Sequence, residues 1–183
     1  MIDIGAFMAS YLVYGYFRFN ATAILEKLCL QAFEPIKNKD ATFLTEDPEE
    51  RYRAYTPAQR VRLKRLSTDL SENYFLHFNH ELRFSDMWAT SNPNTYDWHC
   101  DTLRCWKGFN SSVNCYFDDT DPTTGGELQV KAVDSSEVVG IYPMYGDVIV
   151  LNQHPSFQHR VTHSDVPRKM VAYAGAFFDI NPI

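Results

Sequence analysis

Residues 84–178 divide into eight short runs of β-type composition: 84–90, 96–102, 112–117, 127–133, 138–141, 147–152, 157–161 and 169–178. Turn residues lie between them, at Asn92-Pro93-Asn94, Asp118-Asp119-Thr120-Asp121-Pro122, Gly125-Gly126, Pro143, Gly146 and Pro155. Short strands at a spacing of roughly ten residues point to a sandwich or a jelly-roll barrel.

Residues 1–83 have a different texture and read as mostly helical. Tyr11 to Phe19 is β-prone through its aromatics and valine. Asn20 is a candidate N-cap for a helix carrying Ile24, Leu25, Leu28 and Phe33. Thr56-Pro57 starts a second helix, with Leu63, Leu66 and Leu70 on one face. A further helical stretch is expected to run to about Leu82, and 38–55 reads as a long connection. With no internal repeat or Gly/Ser linker, 1–183 is expected to be a single domain in which 1–83 supports a core formed by 84–183. Helices packed outside one sheet make it an α+β chain.

No apolar run reaches the roughly 18–20 residues that cross a bilayer. The amino terminus has no basic residue ahead of its apolar stretch, so a cytoplasmic location is expected. The net charge of −6 argues against a general polyanion binder. Residues 1–83 balance eleven basic against eleven acidic side chains, whereas 84–183 carry six and twelve. The stretch 51–65, with six basic residues and no acid, reads as a solvated helix face, with an anion-docking surface as the alternative. Cys29, Cys100, Cys105 and Cys115 form no C-x-x-C pair, so they are read as reduced thiols and not as a zinc site.

The sharpest local feature is Tyr96-Asp-Trp-His99-Cys-Asp101. In a strand His99 and Asp101 share a face and Cys100 points away. One imidazole beside one carboxylate is two-thirds of a facial triad, the arrangement of non-haem Fe(II) oxygenases. The third ligand must come from a distant strand, where His159 fits best. His154 and His163 are rivals in less suitable settings, and His77 and His80 belong to the helical half. A dicarboxylate co-substrate would need a cationic anchor, and Arg168 offers a forked one. Lys169 points to the opposite side of its strand and is the alternative.

Over about residues 84–179 the chain resembles the prolyl 4-hydroxylase type of iron- and 2-oxoglutarate-dependent dioxygenases. Four features carry the resemblance jointly, by order and spacing. They are Tyr96-x-x-His99-x-Asp101, Val113 to Asp119 running into Gly125-Gly126-Glu127-Leu128, Ile141 to Leu151 with Pro143 and Gly146, and His159-Arg-Val161 followed by Arg168. The resemblance implies a double-stranded β-helix (jelly-roll, cupin-like) core. It implies His99, Asp101 and His159 as Fe(II) ligands and active-site residues. It further implies Arg168, or Lys169, at the distal carboxylate of 2-oxoglutarate, Tyr116 hydrogen-bonded to that carboxylate, and Tyr96 lining the pocket.

The implied reaction is hydroxylation of a substrate C–H bond by dioxygen, coupled to decarboxylation of 2-oxoglutarate to succinate and CO2, with ascorbate a candidate reductant. Asp101 favours hydroxylation, since halogenating relatives carry a small residue there. Peptidyl proline is the substrate by analogy. Alternatives are a nucleobase, a free amino acid, another small molecule, or a non-catalytic jelly-roll binding module. Nucleic acid is a disfavoured partner and a membrane is not expected. Departures lie at Thr162 to Pro167, where relatives often have Pro and Gly, and at Ala172-Tyr-Ala-Gly-Ala176, where they often have Trp. Trp98 and Trp106 are candidates for the entrance.

Overall fold

The structure is a computed structural model that describes residues 1–28, 55–92, 97–101 and 110–178. Helix α1 spans Ile4–Tyr14, capped by the Asp3 carboxylate, which accepts the Ala6 N–H at 2.7 Å. Gly15 closes it with φ +78°, a left-handed conformation open to glycine. The β-prone reading of Tyr11 to Phe19 is therefore half right. Phe7 and Tyr11, one turn apart and stacked at 5.2 Å, bury a helical face, and strand β1 (Tyr16–Asn20) begins only beyond Gly15. Asn20 does not cap as expected. Ala21 holds the cap position of the short helix α2 (Thr22–Leu25), and the Asn20 side chain accepts from the Thr22 N–H at 3.1 Å.

Helix α3 (Pro57–Asn73) starts where Thr56-Pro57 predicts it. Thr56 and Gln59 form a reciprocal capping box, and Leu63, Leu66 and Leu70 are buried. The basic residues 60–65 of this helix, Arg62 among them, flank that stripe, with Lys64 and Arg65 exposed. The helical reading to Leu82 gives way to strand β2 (His80–Asn92), because pairing with the far end of the chain, His80 opposite Phe177, overrides local propensity.

The remaining strands are β3 (Ser111–Tyr116), β4 (Leu128–Ala132), β5 (Val139–Ile141), β6 (Asp147–Asn152), β7 (Phe157–Val161) and β8 (Ser164–Phe177). Among the described residues all pairings are antiparallel, in a five-stranded sheet β1-β6-β3-β8-β2 and a three-stranded sheet β5-β4-β7. Tyr116, Leu128, Val130, Ile141, Ile149, Leu151 and Met170 pack together between the sheets. Their alternate neighbours, Val113, Cys115, Val148, Val150, Val171 and Tyr173, pack against Phe7, Tyr11, Leu63, Leu66 and Leu70. The large sheet is thus buried on both faces, with helices outside and the small sheet inside. This is the α+β arrangement of a double-stranded β-helix core with helices on one sheet. Among the described residues no helix is long and apolar enough to cross a membrane.

Candidate metal and co-substrate site

The expected strand at 96–102 is represented among the described residues by a single bridge. His99 and His159 exchange backbone hydrogen bonds, N–H to carbonyl, at 3.0 and 2.9 Å. His159 stands in the middle of β7 opposite Val130, on the buried face of the small sheet. The bridge sets the two imidazoles side by side, with ring centroids 4.4 Å apart. Asp101, two residues past His99, sends its carboxylate to the same place. Its oxygens lie 3.5 Å from His99 Nε2 and 3.7 Å from His159 Nε2.

One donor atom from each residue lies within 4.8 Å of the others. Two imidazole nitrogens and one carboxylate oxygen converging from one side suit an octahedral Fe(II) with open positions opposite. The Asp97 carbonyl lies 2.7 Å from His99 Nδ1. A carbonyl can only accept, so in the neutral ring that nitrogen holds the proton and Nε2 keeps its lone pair for a metal, while in the protonated ring Nε2–H donates to Asp101. The Cys100 thiol points away and donates to the Gln153 carbonyl at 2.9 Å, as strand alternation requires.

Charge within the group is mutually adjusted. Burial works against the Asp101 carboxylate, but hydrogen bonding to His99 and the nearby imidazoles outweigh it, and the carboxyl titrates below its ordinary range. Hydrogen bonding to Asp101 raises His99, whereas burial lowers His159. The rival histidines lie elsewhere. His154 pairs with Ser156 in an exposed turn, His163 with Asp165 at 2.6 Å, and His80 with the Phe78 carbonyl.

Arg168 and Lys169 alternate on β8. Lys169 ion-pairs with Asp118, Nζ to Oδ1 at 3.2 Å, and its own N–H donates to Asp118 Oδ2 at 2.8 Å. Arg168 enters the interior, 6% exposed, where Nη1 donates to the Gly126 carbonyl at 3.1 Å. Its Nε is buried with no hydrogen-bond partner among the described residues. A buried guanidinium N–H left unpaired is costly, and a carboxylate oxygen from a dicarboxylate would satisfy it. Tyr116 lies on the same interior face. Burial pushes its phenol up to about 12, against the pull of the nearby Arg168 charge, so it stays a neutral donor.

Tyr96 and Trp106 lie outside the described residues. Trp98 does not stand at an entrance. Lys131 and Arg160 lie over its ring, each 4.6 Å from the centroid. Those two alternate with the buried Val130 and His159, so Trp98 packs on the outer face of the small sheet. The turn expected at Gly125-Gly126 falls just before it, at 122–124; Gly125 instead bridges to Asp121 and Ser164, and the Gly126 carbonyl accepts from Arg168. The alanines 172, 174 and 176 share the Arg168 parity, while the Tyr173 hydroxyl donates outward to the Leu63 carbonyl at 2.7 Å. Three polar residues of the interior, Ser112, Asn114 and Gln153, escape a reading of the sequence. Ser112 and Asn114 sit in a run that reads as plain strand, and Gln153 in one that reads as a turn.

The model of the 2OG-Fe(II) oxygenase superfamily matches residues 84–174, about half the chain. No curated protein matches the chain. Among solved structures, a Trichoplax adhaerens prolyl hydroxylase in complex with a hypoxia inducible factor peptide fragment is similar at TM-score 0.64 and 12% identity, covering 96% of this chain and 89% of that one. HygX from Streptomyces hygroscopicus, with nickel and 2-oxoglutarate bound, is similar at TM-score 0.64 and 13% identity, covering 100% and 90%. A Pseudomonas putida prolyl-4-hydroxylase is similar at TM-score 0.53 and 16% identity, covering 96% and 93%. Motif order, the convergent donor set and the family match agree, and the chain belongs to the 2OG-Fe(II) oxygenase superfamily, as a dioxygenase that works with Fe(II) and 2-oxoglutarate.

Proposed function

We propose that the chain hydroxylates a C–H bond of a peptidyl substrate, with proline the first residue to test. In this reading His99, Asp101 and His159 hold Fe(II), and Arg168 with Tyr116 holds the distal carboxylate of 2-oxoglutarate. The carrying observation is the convergence of two imidazole nitrogens and one carboxylate oxygen within 4.8 Å. Fe(II) and 2-oxoglutarate, when bound, supply the dioxygen chemistry. One oxygen atom enters the substrate as hydroxyl, the other enters succinate, and CO2 leaves.

The chain's own residues supply geometry, charge and exclusion of water. His99, Asp101 and His159 would hold the ion between them, and the dioxygen chemistry would be supplied by the ion and its co-substrate. Arg168 provides a buried positive charge whose Nε–H has no partner among the described residues, and Tyr116 a neutral hydroxyl donor beside it. Support for proline comes from the prolyl hydroxylases among the similar folds, one with a peptide bound.

Anaerobic addition of Fe(II) and 2-oxoglutarate should give the visible charge-transfer band of a metal-bound keto acid. Admission of air with proline peptides should then give succinate and one added oxygen atom by mass spectrometry. A colourless anaerobic mixture would favour a non-catalytic binding module. A coloured complex that oxidises small molecules or oligonucleotides, and no peptide, would overturn the peptide reading alone.

A further inference from the structure

Gln153 follows the last residue of β6, and its side chain makes an unusual set of contacts. Nε2 donates to Asp101 Oδ2 at 3.0 Å and to Ser112 Oγ at 2.7 Å, while Oε1 accepts the Asp101 backbone N–H at 2.8 Å. The amide therefore grips one residue at both its main chain and its carboxylate. Its orientation follows from chemistry. A flipped amide would set its oxygen against a carboxylate oxygen and its NH2 against an N–H, losing both bonds.

Gln153 is itself held firmly. It is 8% exposed, its N–H donates to the Asn110 carbonyl at 2.9 Å, and its carbonyl accepts the Cys100 thiol. Ser112 is fixed in β3, opposite Leu151 and Ala174. One buried amide thus links the end of β6, the centre of the large sheet and the segment that carries His99 and Asp101.

That link answers a need of the fold. Among the described residues the 97–101 segment joins the sheets by one backbone bridge, at His99. Asp101 lies two residues beyond it, and a side chain takes the part a neighbouring strand would otherwise play. A carboxylate free to turn about its side-chain bonds would offer its oxygen to a metal for only part of the time.

We infer that Gln153 is a positioning residue that fixes the Asp101 carboxylate for metal binding. The inference rests on the reading of His99, Asp101 and His159 as the metal ligands. Outer hydrogen-bond partners of metal ligands are typically worth about 10–100-fold in metal affinity, and Gln153→Leu should lose that much. Ser112→Ala removes the second acceptor of the Gln153 amide together with the hydroxyl that hydrogen-bonds Asp101 and accepts from Asn114 Nδ2, so it should weaken the same network at a second point.

The test is titration of the metal-free protein with Mn(II), following free Mn(II) by electron paramagnetic resonance. The visible absorption of the Co(II) form and the thermal midpoint of the metal-free form complete it. The proteins compared are the unaltered chain, Asp101→Ala, Gln153→Leu and Gln153→Asn, whose shorter amide cannot reach Asp101. Weaker Mn(II) binding and an altered Co(II) spectrum in a cooperatively folding Gln153 variant support the inference. If Gln153→Leu fails to fold, Gln153→Asn decides by the same readings. Gln153 variants that bind Mn(II) within about twofold of the unaltered chain, while Asp101→Ala does not bind, overturn the role of Gln153 alone. An unaltered chain that takes up no Mn(II) overturns the ligand reading and this inference with it.

Discussion

His99 and His159, sixty residues apart, are joined main chain to main chain by two reciprocal hydrogen bonds of 3.0 and 2.9 Å. The spacing of their imidazoles is therefore a property of strand register, which substitution of either side chain leaves in place. We predict that His99→Ala, Asp101→Ala and His159→Ala each abolish metal-dependent turnover while remaining folded. Cys100→Ser should keep metal uptake, since a hydroxyl can take over donation to the Gln153 carbonyl. Equilibrium dialysis with a divalent metal checks this. Metal retained by Asp101→Ala and lost by Cys100→Ser would reverse the assignment of faces along this segment.

Arg168 and Lys169 are adjacent cations with opposite surroundings, one in the interior with an Nε–H unpaired among the described residues and one spent on Asp118. Truncating one partner of a buried, hydrogen-bonded charge pair costs about 2–5 kcal/mol. Arg168→Met should accordingly raise the KM for 2-oxoglutarate at least about 30-fold. Lys169→Met breaks a partly exposed pair, and should shift unfolding by no more than about 1 kcal/mol with KM nearly unchanged. Initial rates against 2-oxoglutarate concentration decide between them, and a large KM effect confined to Lys169→Met would move the anchor to the other side of β8.

Gly126 adopts φ +80°, and its carbonyl accepts from Arg168. A Cβ there would sit 3.0 Å from Arg168 Cδ. Gly126→Ala should cost about 1–2 kcal/mol through the left-handed backbone alone. By pressing on the arginine stem, it should also raise the KM for 2-oxoglutarate several-fold, with kcat at saturation little changed. An unaltered KM in a destabilised variant would show that the arginine yields freely to the intrusion.

Burial raises several neutral acids above their ordinary values, most of all Tyr11, Cys115 and Tyr116, the last from 10.0 to about 12. The folded chain keeps these protons at a pH where the unfolded chain has released them. Their contribution is complete below about pH 9 and is lost as pH rises through 9–12. At about 1.4 kcal/mol per pH unit, Tyr116 alone accounts for about 2–3 kcal/mol over that range. Urea unfolding at pH 8 and pH 11 should differ by several kcal/mol, and a flat profile would show these groups ionising in place.

Much of the core can be read from residue order because its cues are local. β6 and β7 begin and end where turn residues bound a β-prone run, and Thr56-Pro57 announces α3 through a cap formed within four residues. Alternation within the H-x-D segment also places the Cys100 sulfur away from its neighbours' donor atoms. What escapes reading is set at long range. The start of β2 at His80 is decided by Phe177. Aromatics of α1 that suit a strand are helical because Asp3 and Gly15 cap the segment and Phe7 and Tyr11 meet one turn apart. Gln153 looks like part of a turn, Asn152-Gln153-His154-Pro155, and gains significance only through Ser112 and Asp101, 41 and 52 positions away.

Because alternate residues of β3, β6 and β8 serve opposite layers, the molecule offers no dispensable half to an engineer. Trimming the amino-terminal residues to obtain a minimal working unit would strip the cover from Val113, Cys115, Val148, Val150, Val171 and Tyr173 and leave a sticky apolar wall. Improvements of the reactive interior are best sought with the outer coat kept whole.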